Sequence, residues 1–108
     1  MQSSDELGWL QHWYLSQCDG DWEHQYGIEI TNIDNPGWRF VVDLADTDLE
    51  DIPFETKRHQ LNSEDEWWIC EVKNKQFVAH CGPRNLKDVI QVFRSWVVHR
   101  AMRPSLPK

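Results

Sequence analysis

Cations are almost missing from the first half of this 108-residue chain. Residues 1–56 contain thirteen acidic residues and one base, Arg39, a net of −12, whereas residues 57–108 contain five acids and ten bases, a net of +5. Nucleic-acid surfaces need clustered lysine and arginine, so the first half is excluded as one. The bases of the second half alternate with acids or gather at one helix end, without interleaved aromatics, and no nucleic-acid partner is expected. Long apolar runs are also missing. No segment approaches the roughly 18–20 apolar residues that span a bilayer. The N-terminal nine residues, from Met1 to Trp9, lack the basic start and apolar stretch of a signal peptide. A cytoplasmic protein that does not use a membrane is expected.

Signatures of catalysis and metal binding are sparse. Three cysteines, Cys18, Cys70 and Cys81, cannot all pair internally, and their spacing fits no zinc ribbon or CxxC motif, so reduced thiols are expected. The five histidines show no HxH or HxxxH spacing, and there is no glycine-rich phosphate loop or GxSxG elbow. Asp19, Asp21 and Glu23 open like a calcium loop, but His24 stands where glycine is required and Ile30 where the bidentate glutamate belongs. His80 and Cys81 are strand neighbours and point to opposite faces, which removes them as a thiol–base pair. No cofactor, no metal and no catalytic residue are expected.

Tryptophan, by contrast, is abundant: seven residues, at 9, 13, 22, 38, 67, 68 and 96. A single core cannot readily hide that much ring area, and half-exposed aromatics favour interfaces. Residues 4–17 predict a helix, with Ser3 and Glu6 at capping-box spacing and an apolar stripe of Leu7, Leu10, Tyr14 and Cys18 widened by Trp9 and Trp13. Residues 26–33 and 38–44 alternate as strands around Asp34-Asn-Pro-Gly37, where proline fixes one backbone angle and glycine accepts positive φ. Residues 54–60 predict a weaker strand, residues 63–66 a polar turn, and residues 67–73 and 76–81 two strands joined at Asn74-Lys75. Residues 86–101 predict a second helix, with Asn85 as N-cap and Asp88 three residues on. The fold class is α+β: a two-layer domain over residues 1–102, with a five-stranded antiparallel meander and the N- and C-terminal helices packed on one face. Residues 103–108, with two prolines, form a loose tail.

Two features suit a protein partner. Asp46, Asp48, Glu50, Asp51 and Glu55 crowd into one connection and, with Asp19, Asp21 and Glu23, fit a basic surface. The sheet face away from the helices, carrying Glu29, Arg39, Val41, Trp67 and Ile69, mixes charge with apolar groups, and Trp67 is its candidate anchor. A monomer or weak homodimer is expected. Residues 54–60 form an edge strand able to pair between subunits, though Lys57, Arg58 and His59 protect it.

The runs Trp9-Leu-Gln-His-Trp-Tyr14, Gln17-Cys-Asp-Gly-Asp-Trp-Glu-His24, Gly27-Ile-Glu-Ile30 and Asp34-Asn-Pro-Gly-Trp38 resemble the immunity protein 53 family of bacterial polymorphic toxin systems. So do Pro53-Phe54, Trp67-Trp68, Gly82-Pro83 and Asn85-Leu86, and the resemblance runs from about residue 5 to residue 97. It implies a stoichiometric inhibitor of a toxin encoded beside it. Nucleases are frequent toxins in such systems, and an acidic inhibitor of a basic nuclease domain fits the charge map. Two other functions are compatible with the residues: an acidic interaction module or nucleic-acid mimic, and a small thiol-dependent enzyme.

Overall fold

The computed structural model describes residues 5–60 and 65–102; the expected tail at 103–108, the Ser3 cap and residues 63–64 of the expected 63–66 turn lie outside them. Three helices and five strands follow in the order α1 (Glu6–Gln17), α2 (Trp22–Gln25), β1 (Ile28–Ile33), β2 (Gly37–Asp43), β3 (Lys57–Gln60), β4 (Trp67–Lys73), β5 (Gln76–Cys81) and α3 (Leu86–Met102). The expected α+β class holds: one five-stranded antiparallel sheet is flanked by N- and C-terminal helices.

The strand order is β1-β2-β5-β4-β3, not a meander in chain order. Residues 44–56 cause the difference. They leave β2 and carry the chain across to the far edge, so that β4 and β5 fold back into the gap. The crossing is possible because its apolar residues enter the core: Leu44 and Leu49 are fully buried, and Ile52 and Phe54 pack against the same cluster. Phe54 is thereby core rather than strand, and β3 begins only at Lys57.

Pleating sorts each strand. Trp38, Phe40 and Val42 of β2, Phe77, Ala79 and Cys81 of β5, and Trp68, Cys70 and Val72 of β4 face the helices and join the core. Phe93 of α3 lies at its centre, with its ring 5.1 Å from those of Trp13 and Phe77, 5.9 Å from Trp9, 6.1 Å from Phe40 and 6.2 Å from Trp96.

This cluster rotates α1 away from its expected orientation. Trp13 and Leu10 are buried and Trp9 packs against the core, whereas Leu7 and Tyr14 of the expected stripe are 56% and 38% exposed. The two indoles remove more apolar area from water than the leucine and tyrosine would, so they take the inner face. Glu6 is buried as well, and its Oε2 accepts from Gln91 Nε2 at 3.1 Å and Arg94 at 3.5 Å. It joins the two helices rather than sitting free at the start of α1.

Two other local expectations change their reason. Gly37 has no positive φ. It is a buried strand residue whose added Cβ would collide with the carbonyl of Cys81, so glycine is required by the close approach of β5. Asn85 precedes α3 but does not cap it with its side chain. Its Oδ1 accepts from Trp67 N at 3.2 Å, while its Nδ2 donates to Asp88 at 2.7 Å and Glu66 at 3.2 Å, fastening the helix start to β4. The Asn74-Lys75 turn is as expected, with both residues at positive φ, 53° and 61°.

Because five rings close on Phe93, Phe93→Ala is expected to lower unfolding free energy by about 3–5 kcal/mol. Urea denaturation followed by tryptophan fluorescence measures the loss. A loss below about 1 kcal/mol would contradict the central role given to this ring.

Candidate partner-binding surface

The α1–β1 connection is built by its own carboxylates. Gly20 sits at φ 91°, a conformation that glycine adopts without a Cβ clash. Asp19 Oδ1 accepts from the amides of Asp21 and Trp22, each at 3.0 Å, and Glu23 accepts from the amides of Asp19 and Gly20, each at 2.9 Å. These contacts close α2, a four-residue helix with no counterpart in the sequence-based expectations. The Trp22 amide, then that of Asp21, hold the Asp19 carboxyl below its ordinary value. Glu23 is lowered by its own amide and by those of Asp19 and Gly20.

Trp22 is buried, and its indole donates to the carbonyl of Ala45 at 3.0 Å. The turn thereby lies against the start of the acidic connection. Glu50 Oε1 accepts from the amide of Asp46, itself at φ 62°, at 3.0 Å, and Glu50 Oε2 meets Lys75 Nζ at 2.6 Å. That contact lowers the Glu50 carboxyl and raises the Lys75 ammonium. Asp48 reaches Arg100 at 3.3 Å. Among the described residues Asp21, Asp46 and Asp51 have no cation in ion-pair contact, and all three are exposed.

The structure therefore brings Asp19, Asp21 and Glu23 to the same end of the domain as Asp46 and Glu50, with Lys75 as the local cation. It does not bring Glu55 or Trp67 there. Glu55 lies beyond Pro53, at the mouth of a groove of about 570 Å³ between α3 and β3–β4, lined by Phe54, Trp68 and Trp96. Trp67 starts β4 at the end away from Lys75 and faces the side of the sheet without helices, beside Ile69 and Glu71. It is half-buried there. On that face Val41 and Val78 are each only 4% exposed. Arg39–Glu29 at 3.4 Å and Lys73–Glu71 at 3.7 Å flank them. His80 is held below its ordinary value by burial and then by Arg39. The aromatic groove was not legible beforehand, because its walls come from a connection, a strand and a helix distant in sequence.

The two sheet thiols are separate from this surface, whereas Cys18 directly precedes its Asp19 turn. Cys70 and Cys81 are fully buried, and burial pushes them up to about 12 and about 11. Cys18 is half-buried, with its Sγ 3.3 Å from the carbonyl of Tyr14. Among the described residues no three His, Cys, Asp or Glu side chains are placed to hold a metal ion, and no helix is long and apolar enough to cross a membrane.

These features define a small two-layer α+β domain that gathers exposed carboxylates at one end and carries an aromatic groove on its flank. The chain belongs to the immunity protein 53 family, whose model matches residues 7–98. Neither the curated proteins nor the solved structures gave a match.

Two measurements test this geometry. The lowered carboxyls of Asp19 and Glu23 contribute stability that is complete above their ordinary values of 3.8 and 4.5 and is lost as pH falls through the lower folded values. Wild type is expected to exceed the Asp19→Asn/Glu23→Gln variant in urea midpoint at pH 6, with the gap closing in acid. A gap that stays constant with pH would show that these carboxylates do not cap the turn. With an aromatic disulfide reagent at pH 8, Cys18 is expected to react at least tenfold faster than Cys70 and Cys81, with all three equal in denaturant. Three equal rates in the native protein would contradict the burial of the sheet thiols.

Proposed function

We propose that this protein neutralises a cognate toxin of a bacterial polymorphic toxin system by binding it stoichiometrically in the cytoplasm of the producing cell, without catalysis. The observation that carries the proposal is the immunity-family match over residues 7–98, joined to an acidic end whose Asp21, Asp46 and Asp51 make no ion pair among the described residues. Exposed carboxylates that no ion pair neutralises raise the encounter rate with a basic surface. A basic toxin domain, as nuclease domains commonly are, is the partner that this field selects. Asp19, Glu23 and Glu50 shape the turns that present the free carboxylates. The aromatic groove beside Glu55 and the face around Trp67 supply apolar area, which the acidic end lacks. The buried, raised thiols of Cys70 and Cys81 support a binding protein over a thiol-dependent enzyme.

Co-expression with the toxin domain encoded by the neighbouring gene is expected to restore growth, and the purified proteins to form a one-to-one complex. Asp21→Lys/Asp46→Lys/Asp51→Lys is expected to slow association about tenfold or more at low salt, with a smaller effect on dissociation. The difference is expected to shrink at 0.5 M salt, where the screening length is roughly 4–5 Å. Absence of protection and of a complex would overturn the proposal. A complex with salt-independent association would overturn the electrostatic part of it.

A further inference from the structure

The two edges of the sheet are not equivalent. β3 has four residues, all exposed, and three of them, Lys57, Arg58 and His59, carry the kind of side chain that discourages strand pairing. β1 has six residues, Ile28–Ile33, with no lysine or proline, and it pairs with β2 alone. Its hydrogen-bonding direction follows from the ladder. Asp43 N donates to Gly27 O at 3.0 Å, in register with Ile28 opposite Val42. Gly27, Glu29, Thr31 and Ile33 therefore bond towards β2, and the N–H and C=O groups of Ile28, Ile30 and Asn32 turn outwards. Among the described residues nothing bonds those outward groups.

Beside this edge lies an apolar margin. Ile30 is 37% exposed on the helix side of the strand, and Tyr14, turned off the core by the indoles of α1, is 38% exposed beside Gly27 and Ile28. A cleft of about 300 Å³ opens between α1 and β1, lined by Leu10, Gln11, Tyr14, Gly27 and Ile28. An added strand would place alternate side chains into that cleft while its backbone met the outward groups.

The charge around the edge selects the occupant. Asp19, Asp21, Glu23, Glu29 and Asp34 belong to β1 or to the segments that flank it. The only Lys or Arg in residues 1–56, Arg39, is held by Glu29 at 3.4 Å. A second copy of this chain would bring the same acidic half against itself, which like-charge repulsion opposes.

We propose that the outer edge of β1 receives an extended basic segment of the toxin as a sixth strand, with its apolar side chains in the α1–β1 cleft. The proposal rests on the immunity function above and adds where and how the partner is held.

Ile30→Pro tests it with little disturbance, because the N–H it removes points outwards and takes no part in the β1–β2 ladder. Against the toxin domain of the neighbouring gene, folded Ile30→Pro is expected to bind at least tenfold more weakly than wild type, and Ile30→Val within about twofold. Amide exchange on the wild-type complex gives a readout that needs no variant. The amides of Ile28, Ile30 and Asn32, fast in the free protein, are expected to slow by at least a hundredfold when the toxin binds. Unchanged affinity in Ile30→Pro with no slowing at these amides would overturn the edge proposal and leave the immunity function intact. Failure of wild type to bind the toxin domain would overturn both. Slowing that follows the concentration of this protein without toxin would identify a second copy as occupant and overturn the choice of partner.

Discussion

The ring of Phe93 is the contact on which the rest of the structure depends. It meets Trp9 and Trp13 of α1, Phe40 of β2, Phe77 of β5 and Trp96 of its own helix, mostly edge to face. One side chain thus joins both long helices to two of the three inner strands. Such ring pairs add about 0.5–1.5 kcal/mol each beyond their buried area, and their angles are directional where aliphatic contacts are not. That direction fixes how α1 is turned. With Trp9 and Trp13 committed to Phe93, Leu7 and Tyr14 are left outside, Tyr14 along the flank of β1 and Leu7 beside the start of α3. The apolar margin of that edge is therefore a consequence of how the core is filled.

Three indoles, that of Trp96 among them, act through their N–H groups. Trp22 donates to Ala45, Trp38 to Pro83 and Trp96 to Pro53, at 3.0, 3.1 and 3.2 Å. Each ring sits on or beside the core while its nitrogen reaches the carbonyl of a connecting segment. Connections held in this way tolerate sequences that would otherwise be poor at staying in place. The segment 44–56 is the clearest case. Its carboxylates repel one another, yet Leu44 and Leu49 anchor it from below, Pro53 is held by Trp96, and Lys75 and Arg100 meet Glu50 and Asp48. The exposed ion pairs contribute little each. The apolar anchors decide where the loop lies, and the remaining charge is left at the exposed surface.

Where a signal was local, the sequence conveyed it. Alternation in residues 38–44, 67–73 and 76–81, the Asn74-Lys75 turn and the apolar stripe of α3 each depend on neighbours within one element, and all are legible, though β2 itself runs from Gly37 to Asp43. The pleat also placed Glu29, Arg39, Val41, Trp67 and Ile69 together on the open face before any coordinates. Strand order was not legible, because nothing local says that residues 44–56 cross the sheet. Leu49 and Ile52, spaced among acids, were the available hint. Stripe position alone does not set the facing of α1, because the larger indoles of Trp9 and Trp13 displace Leu7 and Tyr14 from the inner face. The acidic residues were found as a set, but a sequence cannot show which carboxylates are spent on amides. Asp19 and Glu23 are so spent, Glu50 is held by Lys75, and Asp21, Asp46 and Asp51 are left over.

The same separation bears on how an acidic protein with an open sheet edge avoids binding itself. A sheet with one unprotected edge invites pairing, and β1 carries neither lysine nor proline to prevent it. Positive side chains would protect that edge from copies of this protein, as they do at β3, but they would also repel a basic partner. Negative charge placed around the edge does both jobs at once: it opposes a second acidic copy and attracts a basic strand. The attraction sets the rate of encounter and falls with salt, whereas backbone pairing and the apolar cleft set how long the complex lasts. Within the proposed function, the division of charge between the two halves of the chain is thus a condition for leaving β1 open.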